Sequence, residues 1–388
     1  MDRAGVDAWL TVCRENNNDP LARHIGCENA GGQAVFMFFR IPEDVRPVAI
    51  SPAGEATSLA ELGTHEVFQI ERGTSVWSHV VAQLERHQTR RLAINSGGRA
   101  AADGLSRVQY EALSNGIGPD WMSKAVSSEE LVTEWLSVKT TEEVEIMRRA
   151  ADLTSQWEVE AYATVIPGVS TDLDIAAFLE ARMAEAGVGD GWSPAQNPAV
   201  NSGQDRGHSH PTGRVIQPGD FIQTDFGIMA HNMWVTDIQR FAYVLAPGES
   251  EAPAEALAKW EAAVAGSRAA FNAMAPGAFG SEVDRAQRLV MEEAGSIPVM
   301  WGTGHPVGYW AHDVGPRLGG GVQGRVLDRS PQNELRPGMT FAFDGFHSWP
   351  LPDGATKTLS VEEMVVITET GAEFLTPPQE DLILIPSR

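Results

Sequence analysis

The chain has 388 residues, 43% of them apolar, and sets 29 basic side chains against 52 acidic ones for a formal net charge of -23. That length exceeds one ordinary core and predicts two domains, while the acidic balance argues against nucleic acid or an anionic membrane as a partner. No segment reaches the roughly 18 apolar residues of a membrane span, and Cys13 and Cys27 form neither a CxxC nor a zinc spacing. The expectation is a cytoplasmic protein without a disulfide scaffold.

In chain order, residues 1–137 read as a smaller domain of mixed strands and helices, with buried strands expected over 33–41 and 91–95. A boundary falls near Leu136-Ser-Val-Lys139. Beyond it Thr140 and Glu143 have capping-box spacing, and Val144, Met147 and Ala151 continue as a helical apolar stripe. A second helix is expected from near Thr171 to Gly187 with Leu173, Ala176, Ala177 and Leu179 inward, and two more over roughly 251–275 and 281–295. Pro and Gly cluster at 187–219 and 315–324, the composition of loops carried on a rigid scaffold.

The strand-like runs hold an ordered series of hard-metal ligand types. Asp225 in FIQTDFGIM and Asp237 in MWVTDIQRFAYVL lie twelve residues apart around a polar break at Ala230-His231-Asn232. A hairpin symmetric about His231 would set the two carboxylates opposite each other, with Cβ atoms about 4.5–5.5 Å apart. Asp344 projects from the face of its strand opposite Phe341 and Phe343. Glu362 and Glu363 point to opposite faces, so only one of them joins a cluster. His305 follows Gly302-Thr-Gly304, where small residues allow close backbone approach. Four carboxylates and one imidazole suit two divalent ions about 3.5–4 Å apart. The nitrogen ligand favours Mn, Co, Zn or Fe.

These motifs, Ile216-Gln-Pro-Gly-Asp220 through Asp225-Phe-Gly227, Thr236-Asp237-Ile-Gln-Arg240, Gly304-His305-Pro-Val-Gly308 through His312-Asp313, Pro337-Gly-Met339 through Asp344, and Glu362-Glu through Gly371, together resemble the methionine aminopeptidase, prolidase and creatinase superfamily. The resemblance implies an α/β (α+β) architecture: a C-terminal pita-bread domain over 138–388 behind a smaller N-terminal α/β domain, assembled as a homodimer. It further implies that Asp225, Asp237, His305, Asp344 and Glu362 bind two metal ions, manganese first among them, and that His208 and His312 contact substrate. His208 is chosen over His210 because it precedes Asp220 by the twelve residues common to the resemblance. Arg240 is expected to orient a ligand carboxylate from behind. Arg317, Arg325 and Arg329 are alternatives for a substrate carboxylate, and the sequence does not choose among them.

Three departures bear on the reaction. Asp344 stands where family members mostly carry Glu, the aspartate pair is one residue further apart than usual, and Pro306 replaces a common glycine. The activity implied is hydrolysis of the peptide bond before proline by water activated between two metals, with Asp344, or as second choice Glu362, moving the proton. The substrate would be a small peptide. The alternative is a small-molecule carbon-nitrogen hydrolase or a lyase on the same fold.

Overall fold

The computed structural model describes residues 1–16, 18–27, 33–207 and 210–387. The chain divides into two compact units, Met1–Leu136 and Ser137–Arg388.

The first unit is built on a six-stranded mixed sheet. Its central strands, Ala8–Cys13 and Ala34–Ile41, are apolar almost throughout and pair antiparallel, so both faces are covered. Leu92–Ile94 adds in parallel on the other side of Ala8–Cys13. Helices Val76–Arg86 and Arg107–Ile117 bury Val80, Leu84 and Leu113 against Leu10, Met37 and Ile50. Cys13 and Cys27, for which no disulfide scaffold was expected, are bonded to each other with their Cα atoms 5.9 Å apart. The bonded pair is separated by 14 residues, a spacing that matches neither a CxxC nor a zinc motif.

The second unit opens with helix Thr141–Ala163, whose capping box forms as its spacing predicts: Glu143 N–H donates to Thr140 Oγ1 and Thr140 N–H to Glu143 Oε2. Helix Asp172–Ala186 is capped by Thr171 and stopped by the left-handed Gly187. Its inward stripe is Asp172, Ile175, Ala176, Leu179 and Met183, so Leu173 and Ala177 face outward, contrary to expectation. The stripe is rotated because Asp172 turns inward to accept from Gly213 N–H and pair with Arg206. Helices Ala254–Ala273 and Gly280–Glu293 follow.

Two four-stranded sheets carry the polar centre. In one, Phe221–Phe226 lies between Ala199–Ser202 and Ile238–Val244, with Ile383–Ile385 beyond. In the other, Thr340–Pro350 lies between Gly304–Pro306 and Thr356–Ile367, with Ala372–Phe374 beyond. Helix Thr141–Ala163 packs Tyr162 and Ala161 against Ile222, Phe226 and Ala242 of the first sheet. Helix Ala254–Ala273 packs Trp260 and Ala263 against Phe241, Leu359 and Val361, which draw on both sheets.

Candidate metal centre

The aspartate hairpin turns later than its sequence symmetry suggests. Ala230 pairs with Trp234, so the loop is 231–233, and both His231 and Asn232 adopt left-handed φ values of 50° and 56°. The ladder is therefore centred on Asn232: Asp225 faces Gln239, and Asp237 lies two residues nearer the turn, opposite the level of Gly227. The two carboxylates are not directly opposite but diagonal neighbours on one face. Gly227 marks a break in its strand, where a Cβ would run into the carbonyl of Thr236 and the ring of Trp192. That close approach is what lets Asp237 sit at the junction between the main sheet and the small ribbon that carries the turn.

The other ligand types arrive on the second sheet. Asp344 and Glu362 are directly paired across the antiparallel strands, and Glu363 turns to the opposite face, as alternation requires. His305 pairs with Ala342 on the edge strand. The Gly302 and Gly304 flanking it leave no room for a side chain, since a Cβ on Gly304 would meet the carbonyl of Ala342. His305 Nδ1 lies 3.2 Å from Pro306 C=O and donates to it, which turns the Nε2 lone pair toward Asp237 Oδ2 at 3.7 Å and Glu362 Oε1 at 4.0 Å.

Asp237, His305 and Glu362 can each offer one ligand atom such that the three lie within 4.8 Å of one another. Asp225 and Asp344 border this trio. Burial, then Glu362, Asp225 and Asp344, pushes the Asp237 carboxyl well above the usual carboxylate range, and burial with Glu362 and Asp225 does the same to Asp344. Carboxylates this close and this buried repel one another until cations neutralise them. Hard oxygen ligands with a single imidazole suit divalent transition metals.

Around this centre the sequence expectations divide. The ring of His312 meets that of His305 edge-on with centroids 4.2 Å apart, so the second histidine joins the site. Its loop is held by Asp313, which accepts from Tyr309 N–H and Val314 N–H and pairs with the buried Lys139 at 3.1 Å. His208 lies outside the described residues, and the reserve His210 is exposed. Arg240 does not reach a ligand carboxylate. Its guanidinium pairs with Glu363 at 3.1 Å and donates to the backbone carbonyl of Glu362, because Arg240 projects from the face opposite Asp237. Arg329 is engaged by Glu282, and Arg317 and Arg325 are exposed.

Sequence reasoning missed two groups behind and beside the ligands. Tyr162 Oη accepts from Thr224 N–H at 3.0 Å and donates to Arg240 C=O at 2.5 Å, bridging the pair of residues next to Asp225 in the ladder. Glu158, one helical turn earlier, binds Thr224 Oγ1, and burial drives its carboxyl upward against the opposing pull of Arg240. Beside the ligands, Gln223, Gln239 and Ser360 are tied to one another. The cue for the second was present as polar side chains alternating within apolar strands, whereas Glu158 and Tyr162 lie on the buried face of helix Thr141–Ala163.

Comparison with known proteins agrees with this architecture. Residues 145–369 match metallopeptidase family M24, and the chain belongs to that family. It is a metal-dependent peptidase by class. The chain is 24% identical over 349 residues to the putative dipeptidase YkvY of Bacillus subtilis, covering 88% of this chain and 87% of that protein. It is 28% identical over 252 residues to the probable dipeptidase PepE of Mycobacterium tuberculosis, covering 64% of this chain and 61% of the relative's length. Among solved structures, an X-Pro aminopeptidase from Thermotoga maritima superposes with a TM-score of 0.72 at 20% identity, covering 99% of both chains. The prolidase of Pyrococcus furiosus gives 0.68 at 19% identity over 98% of this chain and 99% of that one. These likenesses establish the pita-bread fold.

Proposed function

We propose that the chain is a dinuclear Xaa-Pro dipeptidase or aminopeptidase. The observation that carries this reading is the convergence of Asp237, His305 and Glu362 on one point with Asp225 and Asp344 beside it. Relatives named as dipeptidases, and one as an Xaa-Pro dipeptidase, support a peptide substrate. In this reading residues 138–388 form the catalytic domain, residues 1–137 a prolidase-type N-terminal domain, and the working form is a cytoplasmic homodimer. Manganese is the first choice of metal, with Co, Zn or Fe as alternatives.

Asp225, Asp237, His305, Asp344 and Glu362 would hold divalent cations, whose chemistry when bound would be to acidify a water and polarise the scissile carbonyl. Asp344 accepts the proton of the attacking water and passes it to the leaving nitrogen. His312, braced by His305 and by the Asp313–Lys139 pair, hydrogen-bonds the substrate carbonyl as charge develops on its oxygen. His208 serves the leaving-group side.

The test is elemental analysis together with proline release from a panel of Xaa-Pro dipeptides and Xaa-Pro-Yaa tripeptides in the presence of manganese. About two metals per chain with proline-specific cleavage is the expected result. Two metals with no cleavage would retain the centre and overturn the peptide substrate.

A further inference from the structure

Alternation along the strands places Gln223 on the face of Asp225, and Ser360 on the face of Glu362. Gln239, two residues beyond Asp237, directly faces Asp225. These three side chains close into a ring: Gln223 Nε2 donates to Gln239 Oε1 at 2.6 Å and to Ser360 Oγ at 3.2 Å, and Ser360 Oγ donates to Gln239 Oε1 at 2.6 Å. The strip continues through Ser348 and Thr358, cross-strand partners on the face of Asp344 and Glu362, whose hydroxyls lie 2.9 Å apart. Two strand residues span about 7 Å, so Gln223 and Ser360 stand about that far along their strands from Asp225 and Glu362.

The polar groups of this strip are uncharged amides and hydroxyls, with the apolar ring of Phe346 opposite Ser360. The nearest cations on the same strands serve other partners: Arg240 is paired with Glu363, and Lys357 projects to the opposite face beside Asp205. A substrate carboxylate laid on the strip would lose its water and meet no free cationic side chain from these strands. A peptide or carboxamide group exchanges hydrogen bonds with it at no such cost.

Resting on the peptidase reading above, we propose that Gln223, Gln239 and Ser360 form a specificity-determining subsite that receives an uncharged peptide or carboxamide group and disfavours a free carboxylate. The enzyme then prefers substrates continuing past proline, or capped there, over free Xaa-Pro dipeptides.

The experiment compares kcat/KM of the manganese-loaded enzyme for Ala-Pro, Ala-Pro-amide and Ala-Pro-Gly, with calorimetric binding of proline and prolinamide as a readout that needs no turnover. The amide and the tripeptide should exceed the free dipeptide by about tenfold or more, and prolinamide should bind tighter than proline. Ser360→Arg should reverse both preferences at unchanged metal content. Gln223→Glu, at a half-buried position that tolerates change more readily, should steepen them. Preference for Ala-Pro, binding of proline equal to or tighter than prolinamide, or ratios unmoved in both variants would overturn the proposal. Selective prolinamide binding without any turnover would instead overturn the peptidase reading and leave the subsite standing.

Discussion

Asp344 and Glu362 stand directly opposite each other across the antiparallel pair formed by Thr340–Pro350 and Thr356–Ile367, both nearly inaccessible to solvent. Two acids in such a pairing destabilise a sheet unless something positive lies between them. Replacing one acid should therefore separate stability from function. Asp344→Asn is expected to raise the melting temperature of the metal-free protein while lowering kcat by about 10²–10⁴-fold, the range for loss of a proton-transfer group. Calorimetry of the stripped protein and single-turnover rates of the loaded one check the two halves. Unchanged turnover in this variant would remove Asp344 from proton transfer.

The raised Asp237 and Asp344 carboxyls also set a pH dependence. A carboxyl whose pKa is higher in the folded state binds more protons folded than unfolded, so the stability it contributes is full at low pH. That stability falls as pH rises above the ordinary carboxylate value toward the raised one. The metal-free protein should accordingly melt lower at about pH 8 than at about pH 5, relative to the metal-loaded protein. The metal-induced increase should be near 2.7 kcal/mol for each bound ion when free metal is about 100 times its dissociation constant. Parallel pH profiles for the two forms would contradict the assignment.

The hydroxyl of Tyr162 between Thr224 and Arg240 spaces the strand of Asp225 from that of Asp237. Tyr162→Phe keeps the ring and strands a buried N–H and C=O. It should cost about 1–3 kcal/mol of stability. Loss of support behind the ligands should weaken metal binding by about tenfold, the low end for such positions. Titration of the stripped protein with Mn or Co reads the second effect, which a purely structural tyrosine would not produce.

Lys139 and Asp313 form a fully buried pair beneath the loop that carries His312. Lys139→Met leaves the buried Asp313 without its cationic partner, which should destabilise by about 3–5 kcal/mol. Because the metal ligands lie elsewhere, metal content should stay constant while kcat falls more than KM rises. Loss of metal in this variant would show that the pair supports the whole centre and not the His312 loop alone.

Much of this architecture could be read from the chain because its signals are local. The Thr140 and Thr171 caps, the Gly187 stop and the acids embedded in apolar strands each announce themselves within a few residues. What escaped depends on partners distant in sequence. The ladder slipped from its expected centre because left-handed Asn232 and His231 put the turn one position later, which symmetry about His231 could not reveal. Leu173 faces outward because a buried Asp172 has Arg206 and Gly213 to satisfy it, and those lie beyond any helical window. Arg240 sits next to a sequence of ligands yet serves Glu363, since strand alternation turns it away from Asp237. The glutamine-serine ring needs two sheets to meet before it exists.

The four acids are distributed two to a hairpin: Asp225 and Asp237 on one, Asp344 and Glu362 on the other. Each hairpin closes through contacts near in sequence and can form early, carrying its own pair of negative charges. Repulsion between the pairs accrues only when the sheets come together, so the last step of chain assembly is the one opposed by charge. A divalent ion present at that moment acts as a folding partner before it acts in catalysis, and refolding with manganese should outpace refolding in a chelator at the docking phase alone.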